Sequence, residues 1–475
     1  MIPAHSFSGK NVVVLGLGKS GLACIDSFLA AGARAYAWDD NYDQREKARA
    51  RGAIITDISR VDWKMFAALV LSPGIPHTFP EPHPYVNIAR SAGIPIICDI
   101  DVFGRENLPA KNVGITGTNG KSTTTAAINH IASLSWHAVQ MGGNIGQAIM
   151  SLEPLGPEGI YVIEMSSFQL ELTRSISLDV AVLLNISPDH LGRHGGMDGY
   201  TTAKKSIFQL QSSGQISVIG VDDPYCAEIY DGMRRGRPSQ LIPISEGKIV
   251  PGGIYMHNGQ LIDDYFSTTE VVFDSQTCRE FSSLRNGQNL AATYASVKAL
   301  GISKHVILEG CKSFAGLPHR QENLGKIDGV TYINDSKATN PASTARALEG
   351  FRKIFWIFGG KSKVPSMEEV YPFTENIVHA YAIGSSAEEL SKSLEEHVKI
   401  TQCGDLETAI AEARKDALSY GGQDPVIMLS PGCESFDQFD NFEHRGDTFR
   451  RLVNDLTGFH VKPAKSKQHR MVLEV

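Results

Sequence analysis

The chain has 475 residues, of which 42% are hydrophobic and 20% charged, a composition typical of a soluble globular protein of about three domains. Its 45 Lys and Arg against 52 Asp and Glu give a formal net charge of -7. This balance excludes a general nucleic-acid or acidic-membrane binder, because such proteins present a basic surface. An anionic ligand is therefore expected to be held locally, by glycine loops, helix N-termini and single Lys or Arg side chains.

No apolar run is long enough for a membrane-spanning helix, and the first residues lack the pattern of a signal peptide, which predicts a cytoplasmic protein. The seven cysteines are scattered and form no C-x-x-C pair. This spacing favours reduced thiols over a disulfide framework or a zinc site.

Short apolar strands alternate with helical segments along almost the whole chain. The strands are continuous apolar runs, which is typical of parallel strands covered on both faces, so the pattern predicts doubly wound α/β units. The predicted strands are 11–15, 67–71, 112–115, 161–164, 180–185, 353–358, 379–383 and 426–429, and clear helices are predicted at 122–135, 289–300 and 406–417.

Three strand–loop–helix starts predict three domains, at 1–109, 110–317 and 318–475. Residues 245–282 are rich in Gly, Asp and Thr with short alternating stretches, which predicts a small antiparallel β excursion inside the middle domain.

The first glycine loop is Gly16-Leu-Gly18-Lys-Ser-Gly21, after a strand and before a helix, with Asp39 near the end of the next strand. A tight turn with free N–H groups at a helix N-terminus suits a phosphate. The loop fits a dinucleotide or nucleotide-sugar site, and equally an ordinary glycine turn in a βα unit.

The second glycine loop predicts a phosphate-binding loop with more specificity, because GKST directly follows a strand and starts a helix. Its backbone N–H groups would surround the phosphates, Lys121 would reach the β and γ oxygens, and Ser122 would face Mg²⁺. Ile115 stands where the longer form of the motif has its first glycine, so this is a shorter variant. The loop comprises Gly117, Thr118, Asn119, Gly120, Lys121, Ser122 and Thr123.

Two more residues follow neighbouring predicted strands and are candidate metal ligands. Glu164 ends the strand YVIE, and His190 follows VAVLLNI through Ser-Pro-Asp. Beside a phosphate loop both could hold Mg²⁺ or its waters, although Mg²⁺ prefers oxygen ligands. Lys204 and Lys205 lie on a predicted helix, where only one of two neighbours can face the cleft. The residues alone do not exclude a solvated pair of lysines.

Two polar loops follow strands near the end of the chain, at residues 334–341 (NDSKATNP) and 430–442 (SPGCESFDQFDNF). Their Asp, Ser and Asn side chains could cap the next helices or contact ribose and phosphate. Because both loops follow the carboxyl ends of strands, one crevice could use both.

The motifs GTNGKSTTT, GGNIG, EMSSFQLE, NISPDH, AKKSIF, GLPHR, NDSKATNP and LSPGCESFDQFDNFEHRG appear in the order of the Mur ligase family, and the chain resembles that family over nearly its whole length. The forms NDSKATN and SSFQLE resemble its D-glutamate-adding branch. The resemblance implies a Rossmann-like domain for a uridine nucleotide, a central P-loop domain for ATP, and a Rossmann-like third domain that closes over ATP and the amino acid. The implied substrates are UDP-N-acetylmuramoyl-L-alanine and D-glutamate, and we expect a monomer.

The resemblance also implies site residues. Lys121, His190 and Lys204 would be catalytic, with two Mg²⁺ ions held by Ser122, Glu164, His190 and a carbamylated Lys204. ATP would also be contacted by Asn289, His319, Arg320, Asp335 and Lys337. The two substrates would be contacted by Lys19, Ser20, Asp39, Ser72, Gly74 and Asn144 on the uridine side, and by Thr339, Lys363, Ser435 and Phe442 on the D-glutamate side.

Three other functions fit parts of the sequence. A folylpolyglutamate synthetase would share the fold without needing a uridine site. An NAD-dependent oxidoreductase would use Gly16–Gly21 but leaves the second glycine loop without a purpose. A non-catalytic nucleotide-binding regulator would bind ATP without turnover. The base that deprotonates the amine of the amino acid stays open.

Overall fold

The computed structural model describes residues 1–135, 138–235, 240–266, 269–274, 277–278, 287–362, 366–422 and 424–456. The chain divides into two compact units between Ala315 and Gly316. The first unit contains two sheets and the second contains one. No helix in the described part of the chain is both long and apolar enough to cross a bilayer.

The amino-terminal sheet is entirely parallel, and its elements are β1 (Asn11–Leu15), α1 (Lys19–Ala30), β2 (Arg34–Trp38), α2 (Tyr42–Ala50), β3 (Ile54–Ile55), β4 (Phe66–Leu71), α3 (Pro84–Ser91), β5 (Ile96–Ile97) and α4 (Asp99–Arg105). The strands lie in the order β3-β2-β1-β4-β5. The strand order therefore reverses beside β1, and ligands bind at such switch points beyond the carboxyl ends of the strands. The first glycine loop lies at this position.

The central sheet has nine strands in the order β14-β13-β12-β11-β10-β9-β6-β8-β7. Its elements are β6 (Lys111–Thr116), α5 (Lys121–Ser133), β7 (Val139–Gly143), β8 (Ile160–Glu164), α6 (Ser167–Leu172), β9 (Val180–Leu183), α7 (Leu191–His194), α8 (Met197–Lys205), β10 (Ile216–Gly220), α9 (Pro224–Met233), β11 (Leu241–Ser245), β12 (Ile254–His257), β13 (Gln260–Asp263), β14 (Glu270–Asp274), α10 (Gly287–Ala299) and α11 (Lys304–Ser313).

Strand β6 lies between β8 and β9, so the loops after these three parallel strands meet at one edge of the sheet. The second glycine loop follows β6, Glu164 ends β8, and the segment NISPDH follows β9. The predicted antiparallel excursion is confirmed, because β12, β13 and β14 pair antiparallel and extend the sheet beyond β11. The strand predicted at 180–185 ends earlier, at Leu183.

The third sheet, in the second unit, has six strands in the order β15-β16-β20-β17-β18-β19, and only the β15/β16 pair is antiparallel. Its elements are β15 (Glu322–Ile327), β16 (Val330–Asn334), α12 (Pro341–Glu349), β17 (Ile354–Gly359), β18 (Ile377–Ile383), α13 (Ala387–Leu394), β19 (Ile400–Gly404), α14 (Leu406–Ser419), β20 (Val426–Leu429) and α15 (Phe442–Asp455). Apolar side chains cover both faces of this sheet. The predicted α/β class is thus confirmed in all three sheets, whereas the predicted domain boundaries stay a prediction.

Candidate active site

The second glycine loop has the backbone of a phosphate loop. Gly120 adopts a left-handed conformation with φ of 83° and directly precedes α5, whose first residue is Lys121. A Cβ atom at Gly120 would lie 2.1 Å from Asn289 Oδ1, so only glycine fits between the loop and α10. The first amides of α5 point out of the helix without intrahelical partners, which suits an anion.

Two lysines converge on the carbonyl oxygen of Gly117. Lys121 Nζ donates to Gly117 O at 2.8 Å and to Thr118 O at 2.9 Å, and Lys204 Nζ donates to Gly117 O at 2.8 Å. Lys204 is only 2% exposed, whereas Lys205 is exposed. The prediction that only one of these neighbours faces the cleft is therefore confirmed. Burial, and then the nearby Lys121 charge, lower the pKa of Lys204 well below its ordinary value.

Glu164 offers an oxygen ligand beside the loop. Glu164 is 2% exposed, and its Oε1 accepts a hydrogen bond from Asn144 Nδ2 at 2.8 Å. Its buried Oε2 has no hydrogen-bond partner among the described residues. A buried carboxylate oxygen without a partner is costly, so its presence at the edge of the phosphate loop fits a bound cation.

His190 lies on the opposite side of β6 from Glu164, after β9. It precedes α7 in a left-handed conformation with φ of 51°, and its side chain is 55% exposed. Burial lowers the pKa of His190, which favours the neutral imidazole that metal binding requires. No three His, Cys, Asp or Glu side chains converge on one point in the described part of the chain. Any Mg²⁺ here would therefore need other oxygens, such as those of Ser122 and phosphate.

Asn185 holds the tip of the phosphate loop and was missed by the sequence reasoning. Its Oδ1 accepts from the N–H of Asn119 at 2.9 Å, and its Nδ2 donates to Asn119 O at 3.3 Å and to Gln288 Oε1 at 2.9 Å. Gln288 Nε2 in turn donates to Asp222 Oδ2 at 3.0 Å. The motif NISPDH contains Asn185, but its partners are too distant in sequence to be read from the motif.

The first glycine loop is shaped by two of the predicted uridine-side residues. Asp39 accepts from the N–H of Leu17 through Oδ2 at 2.7 Å and from the N–H of Asn41 through Oδ1 at 2.8 Å. Ser72 Oγ donates to Gly16 O at 2.8 Å. Lys19, at the amino end of α1, and Gly74 are exposed, and Ser20 is half-buried.

In the second unit, the two polar loops after β16 and β20 touch each other. Ser430 Oγ donates to Asp335 Oδ2 at 2.8 Å, and the N–H of Gln321 donates to Asp335 Oδ1 at 3.1 Å. Burial raises the pKa of Asp335 to about 7. His319 is also buried, and burial lowers its pKa, while Arg320 is half-buried.

Arg445 links these two loops from α15 and is a second residue that the sequence reasoning missed. It is 1% exposed, its Nε donates to Ser336 Oγ at 3.0 Å, and its Nη2 donates to Ser336 O at 2.9 Å and to Cys433 O at 3.1 Å. The charged end of Lys337 lies 3.8 Å from the ring centroid of Phe442. A cation, an aromatic ring and two polar loops therefore meet at the carboxyl edge of this sheet.

Three further residues complete the predicted D-glutamate set. Ser435 is buried and Thr339 is half-buried. Lys363 lies outside the described residues.

These features agree with the comparisons with known proteins. Models of the Mur ligase MurD-like N-terminal domain, the Mur ligase middle domain and the Mur ligase glutamate ligase domain match residues 10–98, 115–279 and 319–432. The crystal structure of the UDP-N-acetylmuramate-alanine ligase MurC from Thermotoga maritima has the same fold, with a TM-score of 0.56 and 16% identity over 94% of this chain and 99% of that chain. The chain belongs to the Mur ligase family.

Within that family, two curated relatives that match almost the entire chain have the same name. A UDP-N-acetylmuramoylalanine--D-glutamate ligase from Caulobacter sp. (strain K31) is 43% identical over 462 residues, which are 96% of this chain and 98% of the relative. Another, from Bradyrhizobium diazoefficiens, is 44% identical over 467 residues, which are 98% of this chain and 100% of the relative. The chain is therefore an enzyme of the ligase class.

Proposed function

We propose that this enzyme uses ATP to join D-glutamate to the alanyl carboxylate of UDP-N-acetylmuramoyl-L-alanine, releasing ADP and phosphate, in the cytoplasmic synthesis of peptidoglycan precursors. The observation that carries the proposal is the phosphate loop between Gly117 and Lys121, with Lys204 and the unpartnered Glu164 oxygen beside it. The relatives that match almost the entire chain carry this activity in their name.

The reaction needs an activated acid, because a carboxylate is a poor acylating agent. The alanyl carboxylate would attack the γ-phosphorus of ATP, forming an acyl phosphate and releasing ADP. The neutral amine of D-glutamate would then attack the acyl carbon, and phosphate would leave from the tetrahedral intermediate. The first step brings two anions together, so positive charge around the γ-phosphate is the main catalytic requirement.

The chain supplies part of that charge through Lys121. Lys121 is the first residue of α5, and its Nζ donates hydrogen bonds to the loop carbonyls of Gly117 and Thr118. A triphosphate in the loop offers stronger, charged acceptors to the same ammonium group. Asn185 keeps Asn119 in place while this exchange occurs, so the loop amides stay aimed at the phosphates.

Mg²⁺ fits the oxygen atoms around the loop, and Glu164, His190, Ser122 and Lys204 as a carbamate would hold two ions. Bound Mg²⁺ would neutralise negative charge on the phosphates of ATP. The unpartnered Oε2 of Glu164 supports this assignment, and so does the buried position of Lys204, since a carbamate turns a cation into an oxygen ligand. Asn144 orients the Glu164 carboxylate through its hydrogen bond.

Substrate binding is divided between the two units. The amino end of α1, with Lys19, Ser20 and the turn that contains Ser72 and Gly74, would hold the uridine nucleotide. In the second unit, Thr339, Ser435, Phe442 and Lys363 would contact D-glutamate, while His319, Arg320, Asp335 and Lys337 would contact ATP, which Asn289 would also contact from α10.

The test is phosphate release from ATP with UDP-N-acetylmuramoyl-L-alanine and, in separate reactions, D-glutamate, L-glutamate or meso-diaminopimelate. Only D-glutamate should give turnover, and omission of the uridine substrate should abolish it. Release with folate substrates, or ATP binding without turnover in every mixture, would refute the proposal. Lys121→Ala should lower kcat/KM by the equivalent of about 3–4 kcal/mol, as for other lost electrostatic contacts to a transition state.

A further inference from the structure

A second polar cluster lies outside the phosphate site, where the amino-terminal sheet meets the central one. Arg193, at the end of α7, donates from Nη1 to Gly74 O at 2.9 Å and from Nη2 to Pro73 O at 3.5 Å. Its guanidinium carbon lies 4.5 Å from the ring centroid of Phe168 on α6. One side chain therefore connects the Ser72–Gly74 turn of the first sheet to two helices of the central domain.

A buried histidine packs against the ring of Phe168. The ring of His194 stacks on Phe168, with centroids 5.2 Å apart and an angle of 9° between the planes. His194 Nδ1 lies 2.9 Å from Glu171 Oε1, and its Nε2 lies 3.0 Å from Ser167 Oγ. Ser167 is only 3% exposed, so this Ser-His-Glu arrangement is inaccessible to a substrate and serves to fix the ring.

The same helices make two more contacts to the loop that continues from Gly74. His77 Nε2 lies 3.4 Å from Glu171 Oε2. The ring of Phe79 packs against Gly195 so closely that a Cβ atom there would lie 2.7 Å from it. The loop thus packs against α6 and the α7 segment through contacts at Gly74, His77 and Phe79.

We propose that Arg193 is a positioning residue for the uridine-nucleotide substrate, because it fixes the Ser72–Gly74 turn against the central domain. This inference rests on the proposed function. A substrate anchored at its nucleotide end must deliver its carboxylate to the γ-phosphate, and a small displacement of the anchoring turn moves the distant end out of reach. Arg193 sets that distance, since α6 begins three residues after Glu164 and α7 begins directly after His190.

The test compares the kinetics of Arg193→Gln with those of the wild-type enzyme for all three substrates. The loss of two charge-assisted bonds should raise the KM for UDP-N-acetylmuramoyl-L-alanine about tenfold, with the KM for ATP and D-glutamate changed by less than about twofold. Arg193→Lys should give an intermediate value, because a single ammonium cannot reproduce the planar fork that reaches both carbonyls. The matched control is Arg234→Gln, which breaks an exposed pair with Asp231 and should leave all three KM values unchanged.

Each outcome bears on the inference. An equal rise in all three KM values would overturn it, and so would an unchanged kcat/KM for the uridine substrate. If Arg193→Gln does not fold, Arg193→Lys carries the comparison, and a normal KM for the uridine substrate in that variant would count against the proposal. An inactive wild-type enzyme would instead remove the proposed function, so the two failures are distinguishable.

Discussion

Lys204 and Lys205 occupy consecutive positions on α8, and their surroundings differ completely. Lys204 is buried against Gly117 beside the phosphate loop, while Lys205 is in solvent. A buried ammonium is normally avoided, because burial favours the neutral amine. The free-energy cost of burying the Lys204 amine is explained if the amine is converted to a carbamate that serves as an oxygen ligand.

Lys204→Ala is expected to lose most of the activity and to regain part of it when acetate is added, since a short carboxylate can occupy the space of the carbamate. The measurement is phosphate release at increasing acetate concentration. Lys205→Ala is the matched control and should keep wild-type activity without any response to acetate. A folded Lys204→Ala enzyme that acetate does not rescue would argue against a carbamate.

Asp335 gives a pH dependence to the stability of the second unit. Burial raises the pKa of this carboxyl from its ordinary value of 3.8 to about 7 in the folded chain. Between these two values the unfolded chain loses the proton first, so stability falls as the pH rises from about 4 to about 7 and is flat above. Above about pH 7 the ionised carboxylate therefore lowers the stability of the fold instead of raising it.

Asp335→Asn should therefore stabilise the protein at pH 8 and leave it almost unchanged at pH 4, with a gain on the order of 2–4 kcal/mol. The amide can donate to Ser430, which then donates to Thr344, 3.1 Å away. The check is denaturant unfolding of both proteins at pH 4 and pH 8. A gain that is equal at both pH values would contradict the raised pKa, and the KM for ATP should rise in the variant.

Sequence reasoning found the residues that form a local motif and missed those whose partners are remote. Gly117 to Thr123 are adjacent in the chain, so strand, turn and helix context identifies them directly. Asn185 is 66 residues from Asn119, and Arg445 is 109 residues from Ser336. Only folding brings these pairs together, and a buried arginine has no sequence signal of its own.

At the scale of elements, two glycines in the turn between β1 and α1 have different structural roles. A Cβ atom at Gly21 would lie 2.0 Å from Gly16 O, whereas a Cβ atom at Gly18 would meet nothing within 4 Å. Gly18 also has an ordinary φ of -70°. Gly21 is therefore needed for close packing of α1 against Gly16, whereas Gly18 leaves its side of the loop open, as the proposed uridine-nucleotide site requires.

Gly21→Ala should destabilise the first unit by about 1–3 kcal/mol, as expected for a side chain forced into a packed space. Gly18→Ala should keep wild-type stability and raise the KM for the uridine substrate, because its methyl group would point to the open side of the loop. Thermal unfolding and steady-state kinetics of both variants give the comparison. Equal destabilisation of the two variants would contradict this division of roles.

The predicted elements agree best with the structure where strands are buried on both faces. The strand predicted at 426–429 matches β20, and that at 11–15 matches β1, because an unbroken apolar run has only one stable position between two layers of helices. The strand predicted at 180–185 is too long by two residues. Its last residue, Asn185, leaves the strand to bind the phosphate loop, a contact that apolar patterning does not record.

At the scale of the whole molecule, the net charge of -7 opposes the binding of anionic nucleotides over the general surface. We therefore expect anionic ligands to be held at the two glycine loops after strand ends and by the few cations beside them. The residues proposed for the two substrates other than ATP are also separated along the chain. Those proposed for the uridine substrate lie before Ala315, and those proposed for D-glutamate lie after Gly316.

This separation predicts where each ligand stabilises the chain. A ligand that binds only the folded first unit at about 100 times its Kd should stabilise that unit by about 2.7 kcal/mol and leave the local stability of the second unchanged. Hydrogen exchange with UDP-N-acetylmuramoyl-L-alanine alone should therefore slow amides at 16–21, 39–41 and 72–74, with no change at 316–362 or 366–422. Lys19→Ala should weaken this protection, whereas Lys47→Ala, an exposed lysine on α2, should not. Equal protection in both units would mean that the uridine substrate contacts residues of the second unit as well, which would contradict the assignment of its site to the first unit.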